Sequence, residues 1–287
     1  MVCLNILRAF LILPYPLAVV MVYSAYLAGN LLNFTNISFF SLAFGFLLSF
    51  FFIGSFNSFN AVFDIDVDKE SKPKRPIPAG LISKNLALSY SLFLYFAFIV
   101  LLYVFYSFEV FVIGMIMIIL SVFYSSGLRL KRFPLLSDLL IAITYTVFPM
   151  LLGFLIGRGN LFSLPYPQFA IVFLFGFAVL ITKNFEDFVA DKKHGLKTLP
   201  VIFGIKQTLA LVILLFLVSD FVLLLLLLRN QLPSYLSLIL FFTLPVFFHS
   251  FRRLWEEPSQ KNAFKLFKHL AVFMLALELL TGFSLII

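Results

Sequence analysis

"ISFFSLAFGFLLSFFFIGSFNSFNAVFDIDVDKESKPKRPIP", residues 37–78, runs from an apolar stretch into an acidic one and then a basic one without a break. Residues 37–62 carry no charged side chain. At 1.5 Å per residue, about 20 apolar residues in a helix cross a hydrocarbon core of roughly 30 Å. The run therefore predicts a membrane-spanning helix whose end delivers Asp64, Asp66, Asp68 and Glu70 to the membrane boundary.

The rest of the chain follows the same plan. Of 287 residues, 62% are hydrophobic, 18% aromatic and 12% charged, with a mean hydropathy of +1.09, a composition that excludes an ordinary soluble domain. Nine apolar runs can be counted, at roughly 9–29, 37–62, 86–106, 109–126, 134–157, 167–183, 208–228, 233–251 and 268–287. Their continuity lacks the alternation a transmembrane barrel needs. The sequence thus predicts an all-α bundle of nine transmembrane helices around a central cavity, in one domain spanning residues 1–287. The first run holds Pro14 and Pro16 and precedes no small-residue cleavage site, so we read it as a mature helix. A single cysteine, Cys3, leaves no intramolecular disulfide and no cysteine metal cluster.

A net charge of +8 raises the question of nucleic acid, but the basic residues alternate by loop. All but Arg158 and Arg229 of the 21 lysines and arginines fall at the N-terminus or in the second, fourth, sixth and eighth loops. The positive-inside rule then puts the N-terminus and those loops in the cytoplasm and the C-terminus outside. Topology accounts for the charge, and no nucleic-acid partner is called for. The expected setting is the cell membrane, crossed many times, with the polar chemistry facing the cytoplasm.

On a helix continued past residue 62, Asn60, Asp64 and Asp68 share one stripe, while Asp66 points elsewhere. The stretch "KNFEDFVADKKHGLKTLP", residues 183–200, repeats the theme with Asn184, Asp187 and Asp191, and turns Glu186 away. Solvation on a loop is the usual fate of such charges. Two triads that both begin at a membrane boundary are harder to explain so, because their carboxylates repel one another unless they share a cation. Oxygen ligands without nearby cysteine suit Mg²⁺, which is commonly held by one or two carboxylates together with substrate phosphates.

At these residues the chain resembles the UbiA superfamily of intramembrane prenyltransferases. One signature is matched by Asn60, Asp64, Asp68, Arg75, Pro76 and Pro78, and a second by Asn184, Asp187, Asp191, Gly195, Thr198, Leu199 and Pro200. Between them Tyr124, Ser125, Lys131 and Arg132 match a Tyr-Ser turn leading to Lys-Arg. Ala61 and Asn184 depart from the pattern where many members are acidic. The resemblance implies nine helices and Mg²⁺-dependent transfer of a prenyl chain from an isoprenyl diphosphate, such as geranylgeranyl diphosphate, to an aromatic, quinone-precursor or lipid acceptor in the bilayer.

It also implies a metal set of Asn60, Asp64, Asp68, Asn184, Asp187 and Asp191, with Lys131, Arg75 and Lys74 on phosphate oxygens and Tyr124 orienting the diphosphate or acceptor. The 41 Phe and 11 Tyr offer electron-rich walls for an allylic cation, although most would face lipid. Asp220 and Glu278 lie within predicted spans, where ionisable groups invite a functional reading. Asp138 sits at a helix entrance and has the simpler reading of a dipole partner. His194, beside the second triad, could take a proton from an acceptor, though a solvated histidine is the commoner case. His249 and His269 read as interfacial, and the overlapping sequons at Asn33 and Asn36 as chance. A transporter of an organic phosphate or anion is the competing class, and there ionisable groups are expected near the midplane. A non-catalytic scaffold would have no use for two triads, and nothing in the chain calls for an obligate protein partner.

Overall fold

The computed structural model describes residues 2–33, 38–157 and 159–285. Thr35 and Asn36 of the two sequons, and the outer-loop Arg158, lie outside the described residues. Among those described there are helices and turns but no strand.

Prolines divide the first apolar run. Helix α1 (Val2–Ile12) stops before Pro14, Tyr15 turns with φ 62°, and α2 (Pro16–Leu31) restarts with Pro16 in its first turn. A proline there forfeits no helical hydrogen bond, because that N–H would have no partner. Ser38 caps α3 (Phe39–Phe63) through a reciprocal pair of bonds with Ser41. At Asp64 the backbone leaves helical values, with φ −107° and ψ 18°, before α4 (Ile65–Ser71) resumes. The uninterrupted helix expected from the sequence is therefore bent at Asp64. The spacing survives the bend, since the Asp64 N–H reaches the Asn60 carbonyl at 3.0 Å and the Asp68 N–H reaches the Asp64 carbonyl at 2.8 Å.

Serines 83 and 107 cap α5 (Lys84–Phe105) and α6 (Phe108–Ser125). Helices α7 (Pro134–Ala142) and α8 (Phe148–Ile156) form one span through a π turn at Ile143–Val147. The turn precedes Pro149, which has no N–H to give the helix ladder. The chain continues through α9 (Tyr166–Ile181), α10 (Asn184–Lys193), α11 (Leu199–Phe203) and α12 (Ile205–Leu228). It ends with α13 (Leu238–Val246), α14 (Arg252–Glu256) and α15 (Gln260–Gly282).

Six of these segments, among the described residues, are long and apolar enough to cross a membrane, and α9 with α10, bent by 43°, makes a seventh if counted as one span. We read the polar α10 as lying beyond the apolar part of that span. The first and eighth runs are represented by the shorter apolar helices Pro16–Leu31 and Ser234–Thr243.

Helices α2, α8, α9 and α15 pack at the centre, with Phe175 and Phe267 fully buried there. Lipid is as apolar as a protein core, so tight packing rather than water exclusion holds such helices together. The α2–α8 crossing depends on two glycines: a Cβ at Gly29 would lie 1.8 Å from the Met150 carbonyl oxygen, and one at Gly153 would lie 1.9 Å from that of Tyr26. Other aromatics, including Phe93, Phe96 and Phe221, point outward as lipid-facing bulk.

Candidate active site

At the charged end of the bundle the two acidic stretches meet. Lys72, which caps the C-terminus of α4, forms an ion pair with Asp187 of α10, 115 positions away. Beside it Lys193 reaches Glu70 at 2.7 Å, and His194 Nε2 lies 3.3 Å from the same carboxylate. Opposite membrane faces for the two motifs are thereby excluded.

Each acid of the shared stripes has a partner. Lys131, from the turn after α6, pairs with Asp64, and Arg75 donates to Asp68 at 2.7 Å. The Thr198 hydroxyl donates to Asp191 at 3.2 Å. Asn60 accepts from Ser125 at 3.0 Å, and Asn184 gives its amide N–H to Asp138 at 2.7 Å, leaving its carbonyl oxygen available. A cavity of about 610 Å³ opens over this cluster, bounded by Asp64, Arg129, Lys131, Phe133, His194 and Lys197. Asp66 stands on its rim, exposed and paired with Lys69 at 3.0 Å.

Burial and charge act against each other here. Burial raises the Asp191 carboxyl to about 7, aided by the charges of Asp187 and Asp64. Asp68 is also raised, chiefly by burial, against the pull of Arg75 and Lys72. For Asp187 burial is outweighed by Lys72 and Arg75, which hold its carboxyl below the ordinary value. Arg75 gains more from Asp68 and Asp187 than burial costs it, so its guanidinium stays charged.

Three sequence expectations change. Glu186 does turn away from the mouth cavity, but into the protein: it is 8% exposed and lines two other cavities. Tyr124 does not sit free at an interfacial belt. Its ring meets Phe56 edge-on at 5.4 Å and its hydroxyl accepts from Ser137 at 3.3 Å. Asp138 is buried and bound to Asn184, which ties it to the second motif and makes it more than a dipole partner. Glu278 takes a hydrogen bond from Ser24 inside the bundle, far in sequence from either motif, and neither it nor Asp220 borders the mouth cavity. Lys74 lines a second cavity, beside Lys72 and Arg75.

The model of the UbiA prenyltransferase family matches residues 4–275. The chain belongs to the UbiA prenyltransferase family. Among its UbiA relatives, digeranylgeranylglyceryl phosphate synthase of Methanosphaera stadtmanae is 29% identical over 231 residues, covering 80% of this chain and 83% of that protein. The enzyme of the same name from Thermococcus sibiricus is 33% identical over 152 residues, 53% of this chain, and the match spans about half of that relative's length, 52%. A UbiA homologue from Archaeoglobus fulgidus, solved bound to GPP and Mg²⁺, superposes with a TM-score of 0.67 at 20% identity, over 97% of this chain and 99% of that one.

For this UbiA member the fit to a divalent cation can be judged from its own donors. No three acidic, histidine or cysteine side chains among the described residues converge as a ready-made metal cage. A cage is not required where substrate phosphates complete the shell. The donors are hard oxygens, and Asp187 Oδ1 is buried without a hydrogen-bond partner. The residues fit such an ion. Lys72 was the member of the site not singled out from sequence, although it continues the stripe Asn60, Asp64, Asp68 by four more positions.

Proposed function

We propose that the protein transfers a prenyl chain from an isoprenyl diphosphate, with geranylgeranyl diphosphate the first candidate, to a glyceryl phosphate ether, releasing diphosphate. The observation that carries this reading is the junction of two acidic motifs through Lys72 and Asp187 beneath a cavity walled by cations. The acceptor is inferred from the name shared by the curated relatives, which describes two geranylgeranyl chains on one glyceryl phosphate.

In the balanced reaction, the allylic carbon–oxygen bond breaks with its electron pair leaving on diphosphate. The acceptor oxygen bonds to that carbon and gives up its proton. Lys131 and Arg75 bind and orient the diphosphate oxygens as charge-assisted donors. Asp64, Asp68, Asp187 and Asp191, with Asn60 and Asn184, would hold Mg²⁺, which when bound supplies charge neutralisation for the leaving diphosphate. Asp138, by holding the Asn184 amide, keeps that residue's carbonyl oxygen turned toward the set. The Tyr124 ring, fixed by Phe56 and Ser137, closes the membrane side of the mouth. Packed aromatics exclude water from the prenyl chain and give an incipient allylic cation a π-rich surrounding.

We place nine spans in the bilayer, with the N-terminus and the mouth on the cytoplasmic side, on the strength of the loop charges. The test is Mg²⁺-dependent release of diphosphate from geranylgeranyl diphosphate by purified protein supplied with a glyceryl phosphate ether. Asp64→Ala should reduce it by at least about a hundredfold. Absence of release with every acceptor, together with counterflow of an organic phosphate in vesicles, would replace this reading with transport.

A further inference from the structure

A second cavity of about 640 Å³ lies behind the Lys72–Asp187 and Arg75–Asp68 pairs, where the α1–α2 break, the turn after α4 and the start of α15 come together. Its charged lining is lopsided. Lys72, Lys74, Arg75 and Lys261 face one carboxylate, that of Glu186. Lys72 and Arg75 are matched by the aspartates behind them, whereas Lys74 and Lys261 are exposed and form no ion pair among the described residues. Tyr15 and Phe264 supply an aromatic wall, with the Arg75 guanidinium 6.0 Å from the Tyr15 ring centre. Glu186 adds an independent sign of a missing ligand: its side chain is more than nine-tenths buried, yet Oε1 has no hydrogen-bond partner.

Unmatched cations beside an apolar wall at a membrane boundary fit a phosphate monoester on an apolar chain. A buried acceptor oxygen beside them fits a ligand that also carries a hydroxyl. We infer that this second cavity binds the phosphate of the lipid acceptor through Lys74 and Lys261, with Glu186 accepting a hydrogen bond from the ligand's free hydroxyl. The inference rests on the proposed function for the acceptor's class, and assigns it a site separate from the diphosphate's. The shared wall explains how both substrates can be held together. Arg75 and Lys72 face the second cavity and pair with the acids of the first motif and the second, so a ligand hydroxyl at this wall lies next to the acid cluster.

The experiment compares the full chain with Lys74→Gln, Lys261→Gln and the double variant in steady-state assays, varying each substrate in turn. The double variant should raise KM for a glyceryl phosphate ether by about tenfold, the ratio of roughly one lost charge-assisted contact, and move KM for geranylgeranyl diphosphate less than twofold. An unchanged acceptor KM, or equal shifts in both, would overturn the assignment. If the wild-type protein turns over no phosphate-bearing acceptor, the proposed function fails, and calorimetric binding of a 1-O-alkylglycerol 3-phosphate decides the site alone. Binding that the double variant abolishes upholds it; binding that is absent, or indifferent to the substitutions, removes it. Inorganic phosphate and anionic phospholipid vesicles serve as competitors, and displacement of the probe by either at equal concentration would refute a site built for this amphiphile.

Discussion

Replacing Asp187 by Asn should leave the Lys72 ammonium facing an amide across the α4–α10 junction. Breaking one side of a buried ion pair costs about 3–5 kcal/mol. Here the two side chains keep 19% and 21% exposure, so water recovers part of the loss. About 2 kcal/mol is the expected destabilisation for Asp187→Asn, the lower end being set by that residual solvation. Lys72→Met should cost less, because Arg75 also acts on the Asp187 carboxylate. The double variant removes both charges, so the cycle should return a coupling of about 1–2 kcal/mol. Unfolding of each variant in mixed detergent micelles, followed by circular dichroism, supplies the four free energies. A coupling below about 0.5 kcal/mol, the ordinary error of additivity, would show that this pair does not hold the two motifs together, and the case for one shared site would lose its main support.

Proton and metal should compete at Asp191, whose carboxyl is pushed up to about 7 by burial first and the Asp187 charge second. Since the folded state keeps this proton to higher pH than the unfolded chain, the group's contribution makes stability fall as pH rises from about 4 to about 7. Binding of Mg²⁺, read as the rise in unfolding temperature on titration, should weaken below about pH 7, and Asp191→Asn should flatten that dependence. Asp66→Ala, on an exposed rim residue, should leave diphosphate release within about twofold, whereas Glu186→Ala should lower it more, since it empties a buried position between Lys72 and the second cavity; equal effects in an activity assay would count against the assignment of the two faces. Gly153→Ala should destabilise the bundle by about 3 kcal/mol, because its methyl meets backbone, while Gly54→Ala, which meets only the end of the Leu94 side chain at 3.2 Å, should cost under about 1 kcal/mol, as thermal unfolding would report.

Much of the site was readable one stripe at a time. The spacing of Asn60, Asp64 and Asp68, and of Asn184, Asp187 and Asp191, depends only on helical period, which local sequence dictates. The bend at Asp64 was not readable, because the residue has no proline or glycine to announce it; yet the i to i−4 bonds across it preserved the stripe. Glu186 was misplaced for a different reason. Helical period assigns a residue to a face but does not tell whether that face meets water or another helix, and here α4 and α15 pack against α10.

The sequence by itself determined a helical membrane protein with its acids gathered at the ends of two spans, since hydropathy and helical spacing are local properties summed along the chain. Tertiary structure alone decided which charges neutralise which. Lys72 with Asp187, Lys131 with Asp64 and Asn184 with Asp138 are 115, 67 and 46 positions apart. Their pairing depends on how whole helices dock, and docking is set by packed features such as the Gly29–Gly153 crossing, whose two halves carry no mark of one another in the sequence.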